Sequence, residues 1–358
     1  MRKKQACLTP FYRIFWLLAL CPPIGYCAAA QAQSSVQLYG IVDAWVGSQK
    51  TPGAASSWQQ GGGGMSTSFW GMGGQEDLGG GYKTSFVLEG FFRPQNGAYG
   101  SFNGDTFLSR NAYVSLTAPA GTIALGRRSS LLYLQSCEFN PFYASFTFSP
   151  TIVQLYSGLG TYPTYKTDQG LVGGTSWSNA VAYYSPDMGG FSANAMYAFD
   201  DSTIAGKQMA LQASYKNGPL AAGATYQYAS FNSSAADLTN LISSMQSQSA
   251  TQLATSYDFT AVKLYAQYTL TNNTVLNKSY HVNVWETGVA VPLGAGKILA
   301  AYGYSRDAGG LDQTRQTVSF GYDYALSKRT DVYAMYLQDH YAAIGSGRTV
   351  GVGIRTRF

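Results

Sequence analysis

SSLLYLQSCEFNPFYASFTFSPTIVQLYSGLGTYPTYKTDQGLVGGT, residues 129–175, is 47 residues long and contains no clean strand pattern. It begins after Leu125-Gly126-Arg127-Arg128 and ends before Ser176-Trp177-Ser178-Asn179. On both sides the chain reads as short alternating segments joined by turns. The stretch carries Pro141, Pro150 and Pro163, the aromatics Tyr133, Phe139, Phe142, Tyr143, Phe146 and Phe148, and few charges (Glu138, Lys166, Asp168). A loop of this length in a compact fold is functional or disordered, and its aromatic content argues that it packs. If the flanking strands close into a barrel, the space nearest the loop is the barrel's own lumen. A loop folded inward would narrow it.

The flanks support closure. Val36, Leu38, Val42, Ala44 and Val46 share one face of a strand, while Gln37, Tyr39, Asp43 and Trp45 share the other, with Ile41 the exception. Val262, Leu264, Ala266, Tyr268 and Leu270 oppose Lys263, Tyr265, Gln267 and Thr269; Val350, Val352, Ile354 and Phe358 oppose Gly351, Gly353, Arg355 and Arg357. One apolar and one polar face suits lipid outside and water inside, though a sandwich in water has the same period. The connections discriminate better. Tight turns at 79–81, 119–121, 186–189, 217–219, 258–260, 293–296 and 327–329 alternate with longer polar connections at about 48–64, 94–106, 129–175, 199–206, 231–248, 271–281, 307–313 and 340–347. Fifteen connections join sixteen strands. The expected fold is all-β: a sixteen-stranded antiparallel transmembrane barrel over residues 33–358, with the third long loop in the lumen. An even count lets the first and last strands pair, leaving no edge whose backbone groups hydrocarbon would strand. In the 231–248 connection, Leu238, Leu241, Ile242 and Met245 have helical spacing, so a short loop helix or a plain loop is expected there.

Residues 1–32 read as a secretory signal peptide. Arg2, Lys3, Lys4 and Arg13 precede the apolar run Ile14–Cys21, and Ala30-Gln31-Ala32 supplies small residues for cleavage after Ala32. Without them the charge falls from 23 basic against 18 acidic residues to 19 against 18, which leaves no case for nucleic acid or another polyanion as partner. Three of the four cysteines leave too; Cys137 stands alone, a buried thiol rather than half of a disulfide.

Enzyme machinery is not legible, and no cofactor or metal is expected. His281 and His340 fall in expected loops about 60 residues apart, Cys137 has no metal-ligand spacing around it, and no Gly-x-Ser-x-Gly elbow links a strand to a helix. Gly61-Gly62-Gly63-Gly64 lacks the Lys-Ser/Thr of a phosphate loop.

Five motifs in register resemble the general porins of β-proteobacteria, within the Gram-negative porin family: Ser34–Asp43 (SSVQLYGIVD), Glu76–Gly81 (EDLGGG), Gly121–Arg127 (GTIALGR), Gly321–Thr330 (GYDYALSKRT) and Val352–Phe358 (VGIRTRF). The resemblance implies a homotrimeric barrel in the outer membrane of a Gram-negative bacterium, passive diffusion of ions and small hydrophilic solutes, and insertion machinery that recognises the terminal Phe358. It also implies arginines at the constriction. Arg110 matches one of them; Phe69 and Ser176 stand where two others are found, so strong anion selectivity by that device is not expected. Arg127 and Arg128, at the start of the loop, could substitute, with Glu89 and Glu138 as facing carboxylates. Strict alternation puts Arg110 on the lipid side with Val114 and Leu116; a bulge or a place above the apolar band would turn it inward, and a rim ion pair is the plainer reading. Arg355 and Arg357 face inward near the opposite end, as rim residues or inter-strand ion pairs. A substrate-specific channel is the alternative function, and a barrel adhesin or enzyme a more distant one.

Overall fold

The computed structural model describes residues 35–157, 174–200, 206–231, 245–275, 278–308, 313–342 and 344–358. Its strands are β1 (Ser35–Lys50), β2 (Ser57–Gly62), β3 (Phe69–Gly79), β4 (Tyr82–Arg93), β5 (Ala98–Tyr99), β6 (Asn111–Ala118), β7 (Gly121–Ser129), β8 (Ser176–Tyr184), β9 (Phe191–Ala198) and β10 (Gln208–Asn217). They continue as β11 (Leu220–Ser230), β12 (Met245–Asp258), β13 (Lys263–Val275), β14 (Lys278–Leu293), β15 (Gly296–Ala308), β16 (Thr314–Ala325), β17 (Thr330–Tyr341) and β18 (Gly345–Arg357). Two short helices, α1 (Leu131–Glu138) and α2 (Pro150–Tyr156), lie between β7 and β8.

Each strand pairs antiparallel with its neighbour, and β18 returns to β1 (Ile41 opposite Arg357, Lys50 opposite Arg348), so the sheet closes. The wall has sixteen staves. β2 pairs with Ala44–Gln49 of β1 and β3 with Ser35–Ile41, so these two segments make one stave interrupted by residues 63–68, while β5 only extends the end of β4. Asp43 holds the interruption in place. Its buried carboxylate accepts from the backbone N–H groups of Gly64, Met65 and Ser66 (2.8–3.0 Å) and from the Tyr333 hydroxyl (2.5 Å). Four donors on one buried carboxylate is what its burial requires.

The barrel is inside-out relative to a soluble protein. Leu38 is 68% exposed and Leu211 61%, while Asp43, Gln252 and Thr317 are 0% exposed. An exposed apolar belt around the whole wall is stable only against lipid. Aromatics border it near the tight turns, among them Tyr183, Phe191, Tyr257 and Phe358. The turn between β3 and β4 shows why those connections are so short: Gly79, Gly80 and Gly81 all take positive φ (80°, 62° and 84°), which only glycine adopts without strain.

All seven tight turns fall where the sequence places them. Several of the long connections prove shorter, because the ladders continue: β1 and β2 pair out to Gln49 opposite Ser57, β13 and β14 to Val275 opposite Lys278, and β17 and β18 to Tyr341 opposite Gly345. His281 and His340 accordingly lie in strands, paired with Asn272 and Ser346, rather than in loops. Beyond the apolar band both strand faces meet polar surroundings, so alternation fades while the backbone ladder persists. Of the helical spacing at 231–248, Leu238, Leu241 and Ile242 lie outside the described residues, and Met245 opens a strand.

Candidate functional site at the inner wall and the long loop

The described half of the long loop is built on two serine caps. Ser130 caps α1, its hydroxyl accepting from Tyr133 N–H, and Ser149 caps α2, accepting from Ile152 N–H; Pro150 sits in the first turn, where its missing N–H leaves no bond unmade. Polar side chains of the inner wall then fasten the loop. Gln135 donates to Gln252 Oε1 (3.1 Å) and accepts from Thr225 (2.8 Å), Gln267 donates to the Phe139 carbonyl (2.9 Å), and Gln154 donates to Thr317 (2.9 Å). Arg315, paired bidentately with Asp339, reaches the Val153 carbonyl (3.3 Å), and Ser145 donates to the Gly64 carbonyl (2.6 Å). Apolar contacts fill the rest: Phe142 and Phe148 meet Trp45, Leu299 and Met335, while Leu131 meets Trp177, Ala182 and Met196.

Glycines of the wall give the loop room. A Cβ at Gly223 would stand 2.4 Å from Gln135, and one at Gly288 would stand 2.5 Å from Pro141. Because residues 130–157 touch β9–β12, β14–β17 and the 63–64 turn, they lie against the side of the wall opposite the lipid-facing residues.

The inner surface of β1, β3, β4, β6, β7 and β8 is left to the second part of the site. Glu89, 5% exposed, accepts from Tyr39 Oη (2.8 Å) and Asn111 Nδ2 (2.5 Å) and forms an ion pair with Arg110. The Arg110 guanidinium lies 4.1 Å over the Phe69 ring, and the Arg110 carbonyl accepts from Ser176 Oγ (3.0 Å). Four residues singled out in the sequence, Phe69, Glu89, Arg110 and Ser176, therefore meet. Arg110 faces inward for a simple reason: β6 begins at Asn111, opposite Glu89, so alternation does not extend back to Arg110 and its side chain turns to the carboxylate. Glu89 is thus its neighbour on the adjoining strand rather than a charge on the facing wall.

The remaining candidates separate. Arg128 follows a register shift after Gly126, and its guanidinium stacks on Tyr113 (4.0 Å) and Tyr184 (4.6 Å). Arg127 does not join the inner cluster. It pairs opposite Ala112 on the outward side of Leu125 and Ile123, and donates to the Ser109 carbonyl and Ser178 Oγ (both 2.8 Å). Glu138 is exposed at the end of α1 and forms no ion pair among the described residues. Cys137 is buried, and burial pushes its thiol up to about 12, which keeps it protonated at neutral pH. Arg355 and Arg357 pair with Asp331, and Arg355 also with Asp323. Tyr39, Asn111, Tyr113 and Tyr184 were missed in the sequence. The available signal was Tyr39 on a polar face opposite Gly71, where a Cβ would stand 2.7 Å from the tyrosine ring.

Comparison with known proteins agrees with this architecture. The model of the Gram-negative porin family matches residues 17–343. Outer membrane porin protein 32 of Delftia acidovorans is 31% identical over 321 residues, covering 85% of this chain and 84% of the relative. The solved anion-selective porin from Comamonas acidovorans superimposes with a TM-score of 0.78 at 26% identity, covering 91% of this chain and all of that one. The trimer form of OmpT from Vibrio cholerae shares the fold at 15% identity, with a TM-score of 0.65 over 91% of this chain and 99% of that one. A closed sixteen-stave wall, a long loop after the fifth stave fastened to the inward side, and a family match over most of the length lead to one conclusion: this chain belongs to the Gram-negative porin family.

Proposed function

We propose that this outer-membrane porin forms a water-filled channel for passive diffusion of ions and small hydrophilic solutes, nearly neutral or mildly anion-preferring, and has no enzymatic role. The observation that carries the selectivity is the Arg110–Glu89 pair. Where relatives of this type concentrate cations, the one retained arginine, Arg110, is neutralised by Glu89, Phe69 and Ser176 add no charge, and Arg128 alone stands in as a substitute. A fixed charge biases permeation where walls displace water: a unit pair at about 4 Å interacts by about 4 kcal/mol at an effective dielectric near 20 and about 1 kcal/mol in bulk water. Charges on outer loops fade over a Debye length of about 8 Å near physiological salt. In this reading residues 129–175 are the constriction loop, residues 1–32 are removed as a signal peptide, and the functional unit is a homotrimer in outer-membrane lipid. Phe358 is the signal read by the insertion machinery. Reversal potentials of purified protein in planar bilayers under a potassium chloride gradient test the reading. A value near zero or weakly toward chloride is expected; strong cation selectivity, or no conductance, would overturn it.

A further inference from the structure

On the inner faces of β1, β3, β4, β6, β7 and β8, from the level of the Arg110 cluster toward the tight turns, lies a cavity of about 520 Å³. Its size is that of a small-molecule site rather than of a hydrated inorganic ion. Arg128 supplies its cation. Both ring partners, Tyr113 and Tyr184, hold the guanidinium by its faces, and none of the ion pairs of the described residues includes it. The N–H edges of a guanidinium held by its faces remain to be offered, and they match a carboxylate bidentately. Among the described residues, no carboxylate lines the cavity. Tyr39 brings a third ring to it, anchored through its hydroxyl on Glu89 and lying over Gly71, where no side chain holds it off the wall. Gln37 and Gln75 add neutral amides that can donate to or accept from a polar substituent.

We infer that this cavity is a binding site for small carboxylates carrying a flat aromatic body, the carboxylate on the Arg128 edge and the body against the Tyr39 and Tyr113 rings. The inference rests on the channel reading above and adds a solute class to it. A bare halide would use the charge and none of the rings. An aliphatic carboxylate of equal size would use the charge and pack poorly on them, because offset ring stacking needs a flat partner. Bound solute would occupy the open side of the lumen and interrupt the ionic current while it stays.

Single channels in potassium chloride with added benzoate, compared with cyclohexanecarboxylate at equal concentration, test this. Benzoate is expected to cause concentration-dependent interruptions several-fold longer than those of its saturated counterpart, since one ring contact changes an equilibrium by about that factor. Arg128→Gln should weaken the benzoate effect about tenfold, as expected for loss of a charge-assisted bidentate contact. Tyr39→Leu should abolish the preference for benzoate while leaving a charge-driven residue of block. Heat-modifiable migration confirms that each variant is folded. Open channels that conduct chloride but treat the two acids alike, or a benzoate effect unchanged in Arg128→Gln, would sink the site while leaving the channel. Absence of channels in the folded wild-type protein would sink both.

Discussion

Arg110 is the single residue whose substitution says most. Removing it leaves Glu89 buried with only Tyr39 and Asn111 as donors, so Arg110→Ala both deletes a cation and releases an anion toward the lumen. The reversal potential in a salt gradient should move toward cations. Phe69→Arg should move it toward anions, because Phe69 lies directly beneath the existing guanidinium and the new charge would enter the same narrow space. If neither change moves the potential in folded protein, the neck lies elsewhere. Cys137 offers a cleaner structural check. A buried, protonated thiol should resist maleimide in folded protein for hours and react within minutes once the barrel is unfolded; fast labelling of the folded form would mean that α1 is not seated as described. The arginines show where reading by residue type stops. Arg110 and Arg128 were visible as candidates, but their difference was not, since it depends on a carboxylate 21 residues away on the neighbouring strand and on two tyrosines that only the register brings together. Arg127, adjacent in sequence, points the other way because alternation holds on its side of the shift.

Among the elements, the long loop and its seat form one structural unit. Gly288→Leu would place a branched side chain where a Cβ alone already lies 2.5 Å from the Pro141 ring, and that ring cannot swing aside. The loop must lift. The expected outcome is a larger single-channel conductance together with a lower temperature of heat modification; unchanged conductance would show that the loop does not set the bore. Ser149→Ala should cost about 1 kcal/mol through loss of the α2 cap, with the same sign of effect and a smaller size. The stretch 129–175 announced itself by length and aromatic content, yet its two helices did not, because seven or eight residues with few charges carry too little periodicity to separate helix from turn. The strands were legible for the opposite reason: lipid on one side and polar lumen on the other repeat a single instruction at every second residue. That instruction weakens outside the band, which is why the ladders of β13–β14 and β17–β18 run further than the composition suggested.

For the molecule as a whole, closure is the decisive event. Phe358 completes it: its N–H and carbonyl each bond to Gly40 (3.2 Å), and its ring fills the space that a Cβ at Gly40 would need, 2.6 Å away. Deleting Phe358 removes both bonds at the first-to-last seam as well as the proposed targeting signal, so folded protein in the outer membrane should fall several-fold. Normal folded abundance after the deletion would remove both roles. Far-ultraviolet circular dichroism of detergent-solubilised protein should show strand as the dominant component up to the heat-modification temperature; a mainly helical spectrum would reject the barrel. The fastening of the loop has a further consequence. Its hydrogen bonds are made largely to β11–β16, whereas the proposed solute site is lined by described residues of β1, β3, β4, β6, β7 and β8, all before residue 185. In the proposed channel the polypeptide divides its labour along its own length, with the later strands as scaffold and the earlier ones as filter. Substitutions that retune permeation can then accumulate in the first half while the support in β11–β16 is kept, and exchanging residues 66–128 with those of a relative, which leaves Trp45 and Gly64 of the seat in place, should shift selectivity toward that relative's.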